Sequence, residues 1–206
     1  LHMTKRIIYA FDWDNTLIDS HRKGLQCMCK TLAALNLFFN ENSINKIYSP
    51  DYHEMYKKLN IPEERWEELD NLWLKYYLNE DKAHLFPEVR EVLTELSTRG
   101  CILALITTGQ RSRVHGELKN LNLTRFFSLI ICREDVLNVK PAPDAIEKLK
   151  NHYHPSDLIY IGDHDHDVKM AKNAKVKWYK IARDDNGESS TKQNIINDLR
   201  KLLVLD

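Results

Sequence analysis

The sequence predicts an α/β protein: a parallel sheet covered by helices on both faces, carrying one all-helical insertion. Three observations lead there. Several short runs of β-branched, aliphatic and aromatic residues lack the polar alternation of a half-exposed strand, as strands buried in a parallel sheet do. Helical patterns separate most of these runs, and strands alternating with helices imply a parallel sheet. Between the first and second runs, from about residue 19 to 83, there is no convincing strand pattern at all.

The first run is Arg6-Ile7-Ile8-Tyr9-Ala10-Phe11, with a polar cluster directly after it. Residues 101–106, 128–132 and 158–162 supply three more. A fifth, at 176–181, is more amphipathic and suits a sheet edge. Val89, Val92, Leu93 and Leu96 recur at helical spacing after Pro87, and Gly100 supplies a stop signal. Further helices are expected near 114–121, 142–150, 167–174 and 192–203. In the insertion, Leu25, Met28, Leu32 and Leu35 form one apolar stripe. Pro50 opens a shorter helix. Pro62, followed by Glu63 and Glu64 at the positive end of a helix dipole, opens the next, striped by Trp66, Leu69, Trp73 and Tyr76. The expected division is a catalytic core of residues 4–18 and 84–206 with a helical domain of residues 19–83.

Composition narrows the function classes. The 206 residues are 43% hydrophobic, which suits a packed globular chain. Lys plus Arg number 30 and Asp plus Glu 30, so the formal net charge is zero. A general polyanion binder would carry a basic surplus, so no nucleic-acid partner is expected. No apolar run approaches the ~18 residues of a membrane-spanning helix, so no membrane partner is expected either. Cys27, Cys29, Cys101 and Cys132 form neither a disulfide framework nor paired C-x-x-C motifs. Reduced thiols suit a cytoplasmic protein. Leu1-His2-Met3 reads as a vector remnant, residues 1–2, ahead of a native Met3, and residues 184–190 read as a polar turn.

Active sites of open α/β sheets gather at the carboxyl ends of the strands, so the residues just past each run are the informative ones. Asp12-Trp13-Asp14-Asn15-Thr16 follows the first, Thr107-Thr108 the second, Lys140-Pro141 comes in the loop after the third, and Gly162-Asp163-His164-Asp165-His166-Asp167 follows the fourth. Carboxylates, a hydroxyl and an ammonium meeting at one edge suit a divalent metal that holds a phosphoryl group. Mg²⁺ takes oxygen ligands, which Asp12, Asp163 and the backbone carbonyl of Asp14 can supply. Asp12 is placed to attack phosphorus as a nucleophile. Asp14 can serve as general acid to the leaving oxygen and then as base to water. Thr107 and Lys140 would bind the equatorial oxygens as charge spreads over them, and Lys140 would also hold Asp12 ionised.

These residues resemble the motifs of the haloacid dehalogenase-like superfamily. Asp12-Trp13-Asp14-Asn15-Thr16 is similar to its D-x-D-x-T first motif, Thr107 to its second, Lys140 to its third, and Asp163 with Asp167 to the G-D-x-x-x-D form of its fourth. The resemblance spans roughly residues 5–17 and 85–181, and Leu85-Phe86-Pro87-Glu88-Val89 resembles the family's return from cap to core. The helical insertion looks like the family's first cap type, seen in phosphoglycolate phosphatase-like members. The resemblance implies a Rossmann-like sheet of order 5-4-1-2-3, one Mg²⁺ per active site, and Asp167 behind the metal ligands. It also implies a phosphatase that hydrolyses a small phosphorylated metabolite through an aspartyl-phosphate at Asp12, under a cap that closes over the site. Asn15 stands where Gly is common, and Thr108 where Asn often follows; both belong near the phosphate, Thr108 as a further phosphate contact. Asp14 favours phosphoryl transfer over dehalogenation. A phosphomutase on the same core is the alternative enzyme, and a non-catalytic phospho-ligand-binding or regulatory protein the alternative of another class.

Blander readings apply elsewhere. His164-Asp165-His166 has the residue types of a transition-metal site, yet these are the variable positions between Asp163 and Asp167 and are read as rim residues. Cys27 and Cys29 point to different faces of one helix and read as packing residues. Trp66, Trp73, Tyr76 and Tyr77 read as helical-domain core, and His21, Arg22 and Lys23 suit a solvated helix face as well as a substrate contact. The substrate's identity and the oligomeric state are not written in these patterns.

Overall fold

The structure is a computed structural model and describes residues 7–49, 51–155, 157–183 and 194–204. The expectations for residues 1–3, for Pro50 and for the turn at 184–190 lie outside the described residues. The chain forms two compact units, Leu1–Asp19 with Leu85–Asp206, and Ser20–His84.

The first unit is the α/β core. The described strands of the chain are β1 (Ile7–Phe11), β2 (Ile18–Asp19), β3 (His84–Leu85), β4 (Ile102–Ile106), β5 (Leu129–Ile131), β6 (Asp157–Gly162), β7 (Lys177–Ile181) and β8 (Ile195–Ile196). Six of them form one sheet in the order β5-β4-β1-β6-β7-β8, and every pairing in it is parallel. Numbered along the chain, the run β7-β6-β1-β4-β5 is the 5-4-1-2-3 order, with one more strand outside the fifth. That sixth strand differs from expectation, since the pattern at 192–203 predicts a helix. Instead Lys180 N–H donates to the Asn194 carbonyl and Ala182 N–H to that of Ile196, so β7 is not the edge. Of the remaining apolar residues, the buried pair Leu199 and Leu202 are three apart on a 3₁₀ helix, Leu199–Val204, whose period is three.

The helices of the core are α5 (Val89–Thr98), α6 (Arg111–Asn120), α7 (Asp144–Tyr153) and α8 (Asp165–Asn173). Val89, Val92, Leu93 and Leu96 are the buried residues of α5. Ile146, Leu149, Met170 and Ala171 from α7 and α8 pack with Ile8, Ala10, Ala104, Ile106, Leu158 and Tyr160 of the sheet. Apolar side chains of this size contribute ~1.5–3 kcal/mol each on full burial, which makes the sheet a rigid support. The turns that end α5, α6 and α8 recur as one device: Gly100, Asn122 and Lys175 take left-handed φ of 79°, 54° and 55°. After each, an N–H reaches back to the helix, from Cys101 to Leu96, Leu123 to Leu118 and Val176 to Ala171.

The second unit is all helical: α1 (His21–Ala34), α2 (Glu41–Ile47), α3 (Tyr52–Lys58) and α4 (Trp66–Asn79). Asn40 and Asp51 cap α2 and α3 by accepting the N–H groups of Asn42 and His53. Leu25, Met28, Leu32, Ile44, Met55, Tyr56, Leu69, Trp73 and Tyr77 form its core. On α4 the deepest tyrosine is Tyr77, one turn beyond Trp73 and stacked on it at 4.7 Å, whereas Tyr76 is half-buried. The Trp73 indole donates to the Gly24 carbonyl at 3.0 Å, and the Lys23 ammonium lies 3.9 Å over the Tyr77 ring.

Candidate active site

Parallel pairing sets the stage. Phe11 is in register with Leu105 on one side and Ile161 on the other, so β1, β4 and β6 end side by side at their carboxyl edge. Asp12 N–H still bonds the Ile161 carbonyl at 2.8 Å, which fixes the first residue past the strand. Thr107 is likewise tied by its N–H to Ile131 at 2.9 Å.

The Lys140 ammonium is the hub. It lies 2.6 Å from Asp12 Oδ1 and 2.7 Å from Asp167 Oδ1, with all three side chains buried. The Lys140–Pro141 peptide is cis. Burial by itself would depress the Lys140 pKa, but the Asp12 and Asp167 carboxylates outweigh it and hold the group charged. Asp163 completes the cluster. Asp12, Asp163 and Asp167 can each direct an oxygen to one place, the three oxygens within 4.8 Å of one another.

Three carboxylates facing one ammonium are crowded. Burial pushes the Asp163 carboxyl up to about 7, with the Asp167 charge adding to it. Asp12 is pushed up too, by burial and by Asp167 and Asp163 against the pull of Lys140. A divalent cation would relieve that repulsion, and an all-oxygen donor set suits a hard one. The hydrogen bonds divide the three. Asp167 is engaged at both oxygens: Oδ1 accepts Lys140 and the Tyr160 hydroxyl, Oδ2 the His164 N–H at 3.0 Å. Asp12 Oδ2 and Asp163 Oδ1 meet the Thr16 hydroxyl at the longer distances of 3.4 and 3.3 Å. Asp12 and Asp163 therefore have the oxygens a metal could take, and Asp167 has the geometry of a support behind them. No Cβ fits at Gly162, because Asp167 packs against it.

Asp14 stands apart from the cluster. Its carboxylate accepts both ends of the Arg113 guanidinium, at 2.9 and 2.5 Å. Asn15, next in the turn, takes a left-handed φ of 59°. This is the physical reason a glycine suits the position, and asparagine is among the side chains that tolerate it. Thr107 is buried, and its hydroxyl accepts the Gly109 N–H at 3.0 Å; Thr108 is half-buried in the same turn. His164 is half-buried and caps α8, its Nδ1 accepting the His166 N–H at 3.2 Å. Among the described residues, the group able to hold a metal is the aspartate trio, not this histidine pair.

Sequence reasoning missed four participants. Tyr160, on β6, places its hydroxyl 2.9 Å from Asp167 and its ring beneath the Lys140 ammonium at 5.5 Å. Alternation along the strand puts it on one face but does not show which polar groups lie there. Arg183 donates to the Thr16 carbonyl, pairs with buried Glu88 at 2.5 Å and stacks on Phe86 at 3.7 Å. It braces the Asp12–Thr16 turn from 167 residues away. Arg113 and Glu117 carried only a faint signal, an i,i+4 pair of opposite charge on a helix.

The sequence matches the family described as haloacid dehalogenase-like hydrolase over residues 9–181. It is 28% identical over 203 residues to pyrophosphatase PpaX of Oceanobacillus iheyensis, covering 95% of this chain and 94% of the relative. A second pyrophosphatase PpaX, from Halalkalibacterium halodurans, is 30% identical over 189 residues, covering 89% and 86%. In fold, it is similar to the crystal structure of a predicted phosphoglycolate phosphatase from Haemophilus somnus, with TM-score 0.80, 20% identity and 98% of each chain covered.

Proposed function

Because the chain belongs to the haloacid dehalogenase-like hydrolases, we propose that its phosphatase chemistry proceeds by attack of Asp12 on phosphorus, with Mg²⁺ as cofactor and a small phosphorylated compound as substrate. The observation that carries this reading is the buried Asp12–Lys140 contact of 2.6 Å inside a trio of aspartates. Lys140 pulls the Asp12 carboxyl toward its ionised form, against the burial and the neighbouring carboxylates that push it up, and offers an ammonium to the phosphoryl oxygens. Thr107 adds a hydroxyl at the neighbouring strand end, and Thr108 a second. Asp12, Asp163 and the Asp14 carbonyl would hold the metal, which when bound offsets the repulsion between a carboxylate and a phosphate dianion.

Asp12 Oδ forms a bond to phosphorus while the bond to the leaving oxygen breaks, and Asp14 gives that oxygen a proton. Water then attacks the aspartyl-phosphate, Asp14 takes a proton from it, and Asp12 and inorganic phosphate are released. Asp167 and Tyr160 orient Lys140 throughout. The helical unit is assigned the part of a cap that selects the leaving group. The name of the PpaX relatives makes pyrophosphate the first substrate to try.

The test is phosphate release from p-nitrophenyl phosphate and from pyrophosphate, with Mg²⁺ or chelator, wild type beside Asp12→Asn. Release that needs Mg²⁺ and disappears in a folded Asp12→Asn protein is expected. Turnover surviving in Asp12→Asn would remove Asp12 as nucleophile, and turnover indifferent to chelator would remove the metal.

A further inference from the structure

The Asp14 carboxyl is held by a device that the four motifs do not contain. Arg113 Nη1 and Nη2 bond its two oxygens, and Nη1 also meets Glu117 Oε2 at 3.1 Å. That same Glu117 oxygen accepts the indole N–H of fully buried Trp13 at 2.8 Å. The guanidinium is therefore fixed within the protein, its side chain 3% exposed, while Asp14 is the accessible member at 35%. Space for it comes from Gly109, in the turn after Thr107, where any Cβ would meet the guanidinium, the Val114 side chain and, less closely, the Thr107 hydroxyl.

We propose that Arg113 is the positioning residue of Asp14: it fixes the place and the plane in which the carboxylate stands ready to act as base to the attacking water. The inference rests on the acid/base role given to Asp14 above. A two-point fork fixes the plane of a carboxylate as well as its place, which a lysine at the same position could not do. Trp13 closes the loop. It lies between Asp12 and Asp14 in sequence and anchors through Glu117 the guanidinium that holds Asp14, so the D-x-D turn and α6 are locked as one piece. Taking a proton from the attacking water needs the carboxylate at a defined point beside it, and misplacement by about 1 Å can cost on the order of 10²-fold in rate.

The experiment is a mutant cycle on p-nitrophenyl phosphate hydrolysis with Mg²⁺. Arg113→Met is combined with Glu117→Gln, so that no carboxylate is left buried without its cation and the Trp13 hydrogen bond survives. The pair is made in wild type and in Asp14→Asn, beside Gly109→Ala, which crowds the guanidinium without removing its charge. We expect kcat to fall about 10–100-fold in the Arg113→Met pair, with KM within about 2-fold, and in the same direction for Gly109→Ala. In the Asp14→Asn background the pair should add no more than about 2-fold, because its target is gone. An equal loss in both backgrounds would overturn the proposal. A second reading is independent of turnover: the Arg113 Nη protons, assigned through Arg113→Lys, should give separate NMR signals that merge in Asp14→Asn. Signals unchanged by Asp14→Asn would overturn it as well. Signals that merge in a protein without any phosphate release would strike the hydrolase reading and leave the clamp on Asp14 standing.

Discussion

Replacing Lys140 by methionine tests the electrostatics of the site most directly. The change keeps the volume and removes the charge, so the cavity cost is small and the ionic cost is isolated. Lys140 has carboxylate oxygens at 2.6 and 2.7 Å, and those two side chains are 9% and 3% exposed. Deleting one member of a buried ion pair typically costs 3–5 kcal/mol, because the remaining charge stays buried without its partner. In a domain of this size each kcal/mol lowers Tm by roughly 2–4 °C, so a fall on the order of 10 °C is expected. Part of the cost is avoidable, since Asp12 can take up a proton. Asp12→Asn combined with Lys140→Met should therefore be more stable than Lys140→Met alone. Calorimetry in chelator reads the effect, and saturating Mg²⁺ should recover part of it. A fall of under about 2 °C, or strictly additive effects of Asp12→Asn and Lys140→Met, would refute the ammonium as the charge that balances this cluster. Phosphate release should be lost in the same variant, with weaker inhibition by inorganic phosphate.

Asp14→Asn should reduce kcat by about 10²–10⁴-fold and KM by little, the signature of a group that acts in the transition state; a change confined to KM would contradict the acid/base role. The Asp163 carboxyl is pushed up to about 7 from 3.8 in the metal-free protein, so its contribution to stability is present below the unfolded value and lost as pH rises through about 7. In chelator, Tm should thus be lower at pH 8 than at pH 6, and saturating Mg²⁺ should reverse the order; a Tm that rises over this interval without metal would be inconsistent with the crowding. Gly162→Ala should cost about 1–3 kcal/mol and disturb Asp167, because its Cβ has no room, and a neutral effect on denaturant unfolding would argue against that packing.

The parts of this protein that were legible in the sequence are those governed by local pattern. The apolar runs at 6–11, 101–106 and 158–162 read as buried strands because they are short, β-branched and bounded by turn residues, and strands lie at 7–11, 102–106 and 157–162. Their linear order also put Asp12, Thr107 and the Gly162-Asp163 turn at strand ends, since the residue after a buried strand must emerge at an edge. The expected helix at 192–203 failed for the same kind of reason. Ile195 and Ile196 have no periodicity of their own, and the unpaired flank of β7 recruited them. A sheet edge exists only once the sheet does.

What the tertiary structure alone decided are contacts between residues far apart in sequence. Arg113 and Asp14 are 99 residues apart, and Arg183 and Thr16 167. Charge type and helical spacing cannot show that the guanidinium of α6 grips Asp14 and not solvent, or that Tyr160 sits under Lys140. Motif order determined which chemical groups this chain has available at one edge of a sheet. The distances at which an ammonium pulls Asp12 and Asp163 down while burial and Asp167 push them up depend on how helices and turns pack on that sheet. Electrostatic energy varies with separation and burial, and neither quantity is written in any local stretch of the chain.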